Sequence, residues 1–169
     1  MQKVAKFFKV SYPQFEQDWQ NAFGEVPQNL QEIYENIKMP KRATAGSAGY
    51  DIYCPINLTV PPKTQILVPT GIRVQMKNGA FLAIFPRSGL GFKFRLQLNN
   101  TVGIIDADYF GAENEGHIML KVFNDSADKA TVEIAQGTGI AQGIFLPFGI
   151  TEDDDATEVR TGGFGSTSK

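Results

Sequence analysis

The spacing of apolar residues changes at Pro40, and that change restricts the fold more than any other feature of the chain. Beyond it the apolar positions alternate: Ile56, Leu58 and Val60; Ile72, Val74 and Met76; Ile118, Leu120 and Val122; Ile144, Leu146 and Phe148. A period of two puts every second side chain on one face of a strand. Turn signals separate these runs at Pro61-Pro62, Asn78-Gly79, Asn124-Asp125 and Gly137-Thr138-Gly139. Many short strands, 17 Gly and 9 Pro in 169 residues, and no strand–helix alternation predict an all-β fold, an antiparallel sandwich or barrel.

Before Pro40 the period is helical. Ser11 and Gln14 have the spacing of a capping box, with Pro13 in the first turn. Phe15, Trp19 and Phe23 then recur on one face, and Gly24 follows as a stop. Leu30, Ile33, Tyr34 and Ile37 give a second short helix after Pro27. Residues 1–38 therefore read as a helical N-terminal extension whose aromatic stripe packs on the main domain or on a neighbouring subunit. Residues 39–152 read as the β domain, and residues 153–169 as a flexible C-terminal arm that begins in the solvated acidic run Glu152 to Asp155.

Composition removes several function classes. A net charge of −2 gives no basic field for duplex nucleic acid, and no apolar run approaches the ~20 residues of a membrane helix. The first ten residues lack the apolar core and cleavage site of a secretory signal, so a soluble, cytoplasmic protein is expected. One cysteine, Cys54, and one histidine, His117, exclude a disulfide framework and Cys/His zinc sites. At 42% hydrophobic residues the chain has enough apolar material for a core.

Five patches carry chemistry. Gly46-Ser47-Ala48-Gly49-Tyr50-Asp51 is a small-residue turn that presents a carboxylate. Pro86-Arg87-Ser88-Gly89-Leu90 follows an apolar strand and delivers a guanidinium, a hydroxyl and backbone N–H groups suited to an anion. Asn99 to Tyr109 is a hairpin with Asp106 and Asp108 at its exit; they are either a general base and metal pair or turn residues closing the hairpin. Gln142 interrupts the apolar run around Ile140 and Ile144 and needs partners, either backbone or ligand. Arg160 and the run Gly162-Gly163-Phe164-Gly165-Ser166-Thr167 are either a mobile tail or an anion-binding nest with a ring for stacking.

In this order, over residues 40–169, the patches resemble the five motifs of the trimeric dUTP pyrophosphatases (dUTPases). The resemblance implies a jelly-roll-like β fold, a homotrimer with sites shared between subunits, Mg²⁺ carried with the triphosphate, and hydrolysis of dUTP to dUMP and pyrophosphate. It implies that Asp106 orients the water that attacks the α-phosphorus. Asn100, Ile104, Ile105 and the Met119 backbone would read uracil, and Tyr109 would lie against the deoxyribose. Arg87, Ser88, Gly89 and Gln142 would hold phosphates, and Asp51 would reach Mg²⁺ through water. The arm would close with Phe164 on uracil and with Arg160, Gly165, Ser166 and Thr167 about the γ-phosphate. Four departures stand out. Gly139 occupies the position where the fourth motif commonly has Arg, and Arg95 stands where glycine is usual. The run Tyr109 to Asn124 is longer through Glu113-Asn114-Glu115-Gly116, and Arg160 sits closer to Phe164. Two other functions compete with this one. A dCTP deaminase on a related fold would need glutamate at Asp106. A non-catalytic module would use residues 1–38 to grip a protein partner.

Overall fold

A computed structural model describes residues 2–158, 160 and 162. The chain opens with a strand, β1 (Ala5–Lys9), followed by helices α1 (Tyr12–Phe23) and α2 (Leu30–Glu35). Short strands come next: β2 (Lys41–Arg42), β3 (Tyr50–Tyr53), β4 (Leu58–Val60), β5 (Gln65–Pro69), β6 (Ile72–Met76) and β7 (Ala80–Pro86). After helix α3 (Ser88–Phe94) come β8 (Leu96–Leu98) and β9 (Gly103–Ile105), then a 3-10 turn over Ala107–Gly111. Strands β10 (Met119–Asn124), β11 (Val132–Ile134) and β12 (Gly139–Pro147) complete it.

All pairings are antiparallel, as the turn-rich sequence predicts. The largest sheet has the order β2-β3-β12-β7-β9; smaller sheets are β5-β10-β8, β1-β6 and β11-β4. The alternation works as expected in β4, β6 and β10, where Leu58, Val60, Ile72, Val74, Met76, Leu120 and Val122 are buried. It fails in the last run. Ile144 is half-buried, while Leu146 and Phe148 are exposed, because the buried positions of β12 are the earlier Ile140, Ala141 and Gly143. Beyond Gly143 the strand pairs with β7 alone and runs out from the core.

The N-terminal residues contain both expected helices. Ser11 caps α1, its Oγ accepting from Gln14 N–H at 3.3 Å, and Gly24 ends it in the left-handed conformation at φ +80. The capping box is only half made: the Gln14 amide turns to Asp18 Oδ2 at 2.9 Å, and Ser11 N–H donates instead to Glu115 Oε2 at 2.8 Å. The helical reading of residues 1–38 did not include β1, which pairs with β6 from Ala5↔Met76 to Lys9↔Ile72. Its apolar residues are too few for a period to show, and its aromatic Phe7 finds rings far away in sequence, Tyr50 and Phe145. Phe15, Trp19, Leu30 and Ile33 belong to the same core cluster as the β strands. Burying a side chain such as Phe15 contributes about 1.5–3 kcal/mol. Among the described residues no helix is long and apolar enough to cross a membrane.

Candidate active site

Three of the five patches meet on neighbouring strands. In the large sheet, Gln142 of β12 lies opposite Asp51 of β3 on one side and Phe85 of β7 on the other, one residue from Pro86. Arg87 leaves the end of β7 and turns back toward β3, its Nε 3.0 Å from Asp51 Oδ1. Gln142 Nε2 donates to Pro86 O at 3.2 Å. Two glycines make room for this cluster. A Cβ on Gly49 would come within 2.7 Å of Gln142 Oε1, and one on Gly139 within 2.9 Å of Arg87 Nη1. The residue that replaces the common arginine of the fourth motif is therefore the seat of another arginine. Arg95 stands apart from this cluster. It ends α3 in the left-handed region at φ +52, the reason glycine suits that position, and its Nε pairs with Asp125 at 2.7 Å. Asp125 also takes Lys63, and these two cations hold its carboxyl below the usual range.

The remaining hairpin residues lie elsewhere. The two arms do not pair with each other: β8 joins β10, whereas β9 joins β7. Asn100 and Thr101 form the tip, with Thr101 at φ +67 and exposed Asn100 accepting from Val102 N–H at 2.7 Å. Ile105 is buried, while Ile104 points outward and is half exposed. Met119 starts β10, two residues before Lys121, whose carbonyl accepts from Asn99 N–H. Asp106 precedes the 3-10 turn without capping it, and its side chain is 54% exposed. It takes Arg160 Nη1 on Oδ2 at 3.0 Å, and Asp108 Oδ1 receives the same nitrogen at 3.4 Å. The Arg160 guanidinium also stands 5.1 Å from the ring centroid of Tyr109. Tyr109 is buried; its hydroxyl donates to His117 O and accepts from Asn114 Nδ2, both at 2.8 Å. Burial is the main cause that pushes its phenol up to about 12. Phe164, Gly165, Ser166 and Thr167 lie outside the described residues.

The register fixes how far apart these groups stand. Pro86 is level with Ala141 at one end of β7, and Leu82 is level with Ile105 toward the other. Arg87 and Asp106 lie beyond those two levels, in opposite directions. At ~3.3 Å per residue they are separated by roughly 16–20 Å along the sheet. One chain thus brings Asp51, Arg87, Gly139 and Gln142 together, and separately Asp106, Asp108, Tyr109 and Arg160, but not the two groups with each other.

Sequence reasoning assigned Arg87 and Asp51 to different ligands and missed that they pair, since residues 36 apart carry no local sign of contact. It also missed Asp18, Asn114 and His117 around Tyr109. The one available signal was a lone histidine directly after the inserted Glu113–Gly116 run.

Residues 35–168 match the dUTPase family. The deoxyuridine 5'-triphosphate nucleotidohydrolase of Lactococcus lactis is 40% identical over 139 residues, 79% of this chain and 91% of the relative. The enzyme of the same name from Escherichia coli is 39% identical over 145 residues, 81% of this chain and 91% of its own length. Among solved structures, the dUTPase of Streptococcus mutans superposes with a TM-score of 0.63 at 32% identity, covering 86% of this chain and 98% of that one. A mutant dUTPase from phage phi11 of S. aureus, described with a structural Mg(II) ion, shares the fold at a TM-score of 0.63 and 20% identity, covering 92% of this chain and 98% of its own.

Proposed function

Because this chain belongs to the dUTPase family and hydrolyses dUTP to dUMP, we propose that its active site is assembled between copies of the chain, with one end of the large sheet from each of two subunits. The observation that carries this reading is the register: the groups suited to phosphate and the acid suited to water stand roughly 16–20 Å apart in one chain, too far to act on one triphosphate. A cyclic arrangement that sets the Arg87 end of one protomer against the Asp106 end of the next closes the gap at every interface. The exposed apolar residues Leu146, Phe148 and Ile150 support burial of this face in a homotrimer.

In that site Asp106 orients the attacking water and accepts its proton, while Arg87, Ser88, Gly89 and Gln142 hold phosphate oxygens. In-line attack on the α-phosphorus then expels pyrophosphate, and the cationic and N–H donors stabilise the charge that develops on the phosphate oxygens. The hairpin residues Asn100, Ile104 and Ile105, with the backbone of Met119, read the uracil edge. Tyr109 lies against the deoxyribose. The arm, through Arg160, Phe164, Gly165, Ser166 and Thr167, closes the site.

Mg²⁺ fits the donors present. Asp51 offers a hard carboxylate whose Oδ1 is already fixed by Arg87. Among the described residues no three acidic, His or Cys side chains converge, so the remaining ligands would be phosphate oxygens and waters. When bound, the ion supplies charge neutralisation along the triphosphate, and Asp51 would hold it through a water.

The direct test presents each deoxynucleoside triphosphate with Mg²⁺ and measures monophosphate and pyrophosphate. Release from dUTP in preference to the others is expected. Ammonia from dCTP, or binding of dUTP without turnover, would overturn the roles given to Asp106 and the phosphate-binding residues. Mixing Asp106 and Arg87 variants tests the sharing of the site between copies.

The seat under Arg87 gives a second expectation. Gly139→Ala places a methyl 2.9 Å from Nη1 and 3.0 Å from Cδ of Arg87, whose flexible end must swing off Asp51. Stability should change by less than ~1 kcal/mol, because the clash is with a side-chain tip. Steady-state kinetics should show kcat/KM for dUTP reduced roughly ten-fold through a misplaced phosphate donor. Unchanged kinetics would mean that the seat has no role.

A further inference from the structure

We propose that helix α1 positions Tyr109, through Asp18, His117 and the inserted loop 113–116, and so sets how strongly the site rejects a ribose. The inference rests on the reading that Tyr109 lies against the deoxyribose. Helix α1 precedes the span that matches the family, so its part in the site does not follow from the motifs.

The connection is made of short bonds, buried around His117 and exposed at Ser11. Gly71 N–H donates to His117 Nε2 at 2.7 Å, which leaves that nitrogen an acceptor and puts the proton on Nδ1. The Nδ1–H then points at Asp18 Oδ2 on α1, 2.6 Å away. His117 is completely buried, and its carbonyl accepts from the Tyr109 hydroxyl. At the N-terminus of the helix, Ser11 N–H and Oγ both donate to the carboxylate of Glu115, at 2.8 and 2.6 Å. The loop between these attachments lies directly on the tyrosine: Gly116, at φ +70, has no room for a Cβ, which would stand 2.5 Å from Tyr109 O. Asn114 completes the contact through its amide on the Tyr109 hydroxyl. Tyr109 thus has a fixed phenol, a fixed main chain and a ring whose pose follows the loop, while the loop is tied to α1 through Glu115 and through His117, which follows it. A ribose 2′-hydroxyl can be refused only by a ring that does not yield. Asp18 and His117 are positioning residues and touch no substrate.

The readout is the ratio of kcat/KM for dUTP to that for UTP, since a merely structural loss lowers both substrates alike. Asp18→Ala should reduce the ratio roughly 3- to 30-fold, and Asp18→Asn should restore it, because an amide oxygen still accepts from Nδ1–H. Tyr109→Leu should reduce the ratio at least as much. If Tyr109→Leu lowers the ratio and a folded Asp18→Ala does not, the connection to α1 is overturned and the sugar contact stands. If Tyr109→Leu leaves the ratio unchanged, the sugar contact fails and takes this inference with it. Should Asp18→Ala not fold, Glu115→Ala loosens the same helix from the exposed end; a fall in the ratio supports the proposal and an unchanged ratio overturns it.

Discussion

Asp106→Asn is expected to lower kcat by ~10²–10⁴ with the fold unaltered. An amide has nearly the shape of the carboxylate but cannot accept a proton from water. The side chain is half exposed, caps no helix, and among the described residues is engaged by Arg160 alone. Its partner Arg160 is only 13% exposed, but an amide oxygen still accepts from Nη1, so melting should shift by no more than ~0.5 kcal/mol. Binding of dUTP should survive, because the phosphate and uracil contacts come from other residues. Pyrophosphate release at the parental rate would remove Asp106 from the chemistry.

Arg87→Met should reduce kcat/KM by about 10²-fold, the scale seen when a donor aimed at developing negative charge is removed. The thioether keeps the aliphatic packing over Gly139 and gives up the fork that Asp51 aligns. The stronger result comes from combining the two variants. Each chain would carry one intact sheet end, and a site is whole only where the intact Arg87 end of one protomer meets the intact Asp106 end of its neighbour. Random reassembly of equal amounts gives each site that arrangement about one time in four. Unfolding and refolding the mixture should recover roughly a quarter of parental activity, although each variant alone keeps about 1% or less. No recovery, in a mixture shown to have exchanged chains, would mean that both groups serve a site within one chain.

The alternation of Leu58/Val60, Ile72/Val74/Met76 and Leu120/Val122 was enough to predict antiparallel strands, because each face meets a uniform environment, core or water. The Ile144/Leu146/Phe148 run has the same pattern and the opposite outcome. A period of two tells which residues share a face, not which face is inward; β12 turns Ala141 and Gly143 inward, and Ile140 is buried where the register shifts between Gly139 and Ala141. Strand β1 escaped notice for a related reason: it is held by pairing with β6, about 65 residues later, and such pairing leaves no trace in five residues. At the site, the chemical types of Arg87, Asp106 and Gln142 were legible one by one. The pairing of Arg87 with Asp51 and the separation of Asp106 from both were not, since they depend on strand order and register. Gly139 shows the limit most clearly: an absent side chain reads in sequence as a lost contact, and in three dimensions as space that another residue fills.

Strand β7 joins the two ends of the sheet as a rigid strut of fixed span. Each residue advances it by a set step and turns the next side chain to the opposite face. Loss of a single residue would shorten the span and also turn Leu82 and Ile84 out of the core. Changes in chain length can accumulate in connections such as 113–116, where the backbone only has to return to its starting point. Between Ala80 and Pro86 the number of residues is itself a dimension of the machine, and natural variation there should run to side-chain identity and never to length.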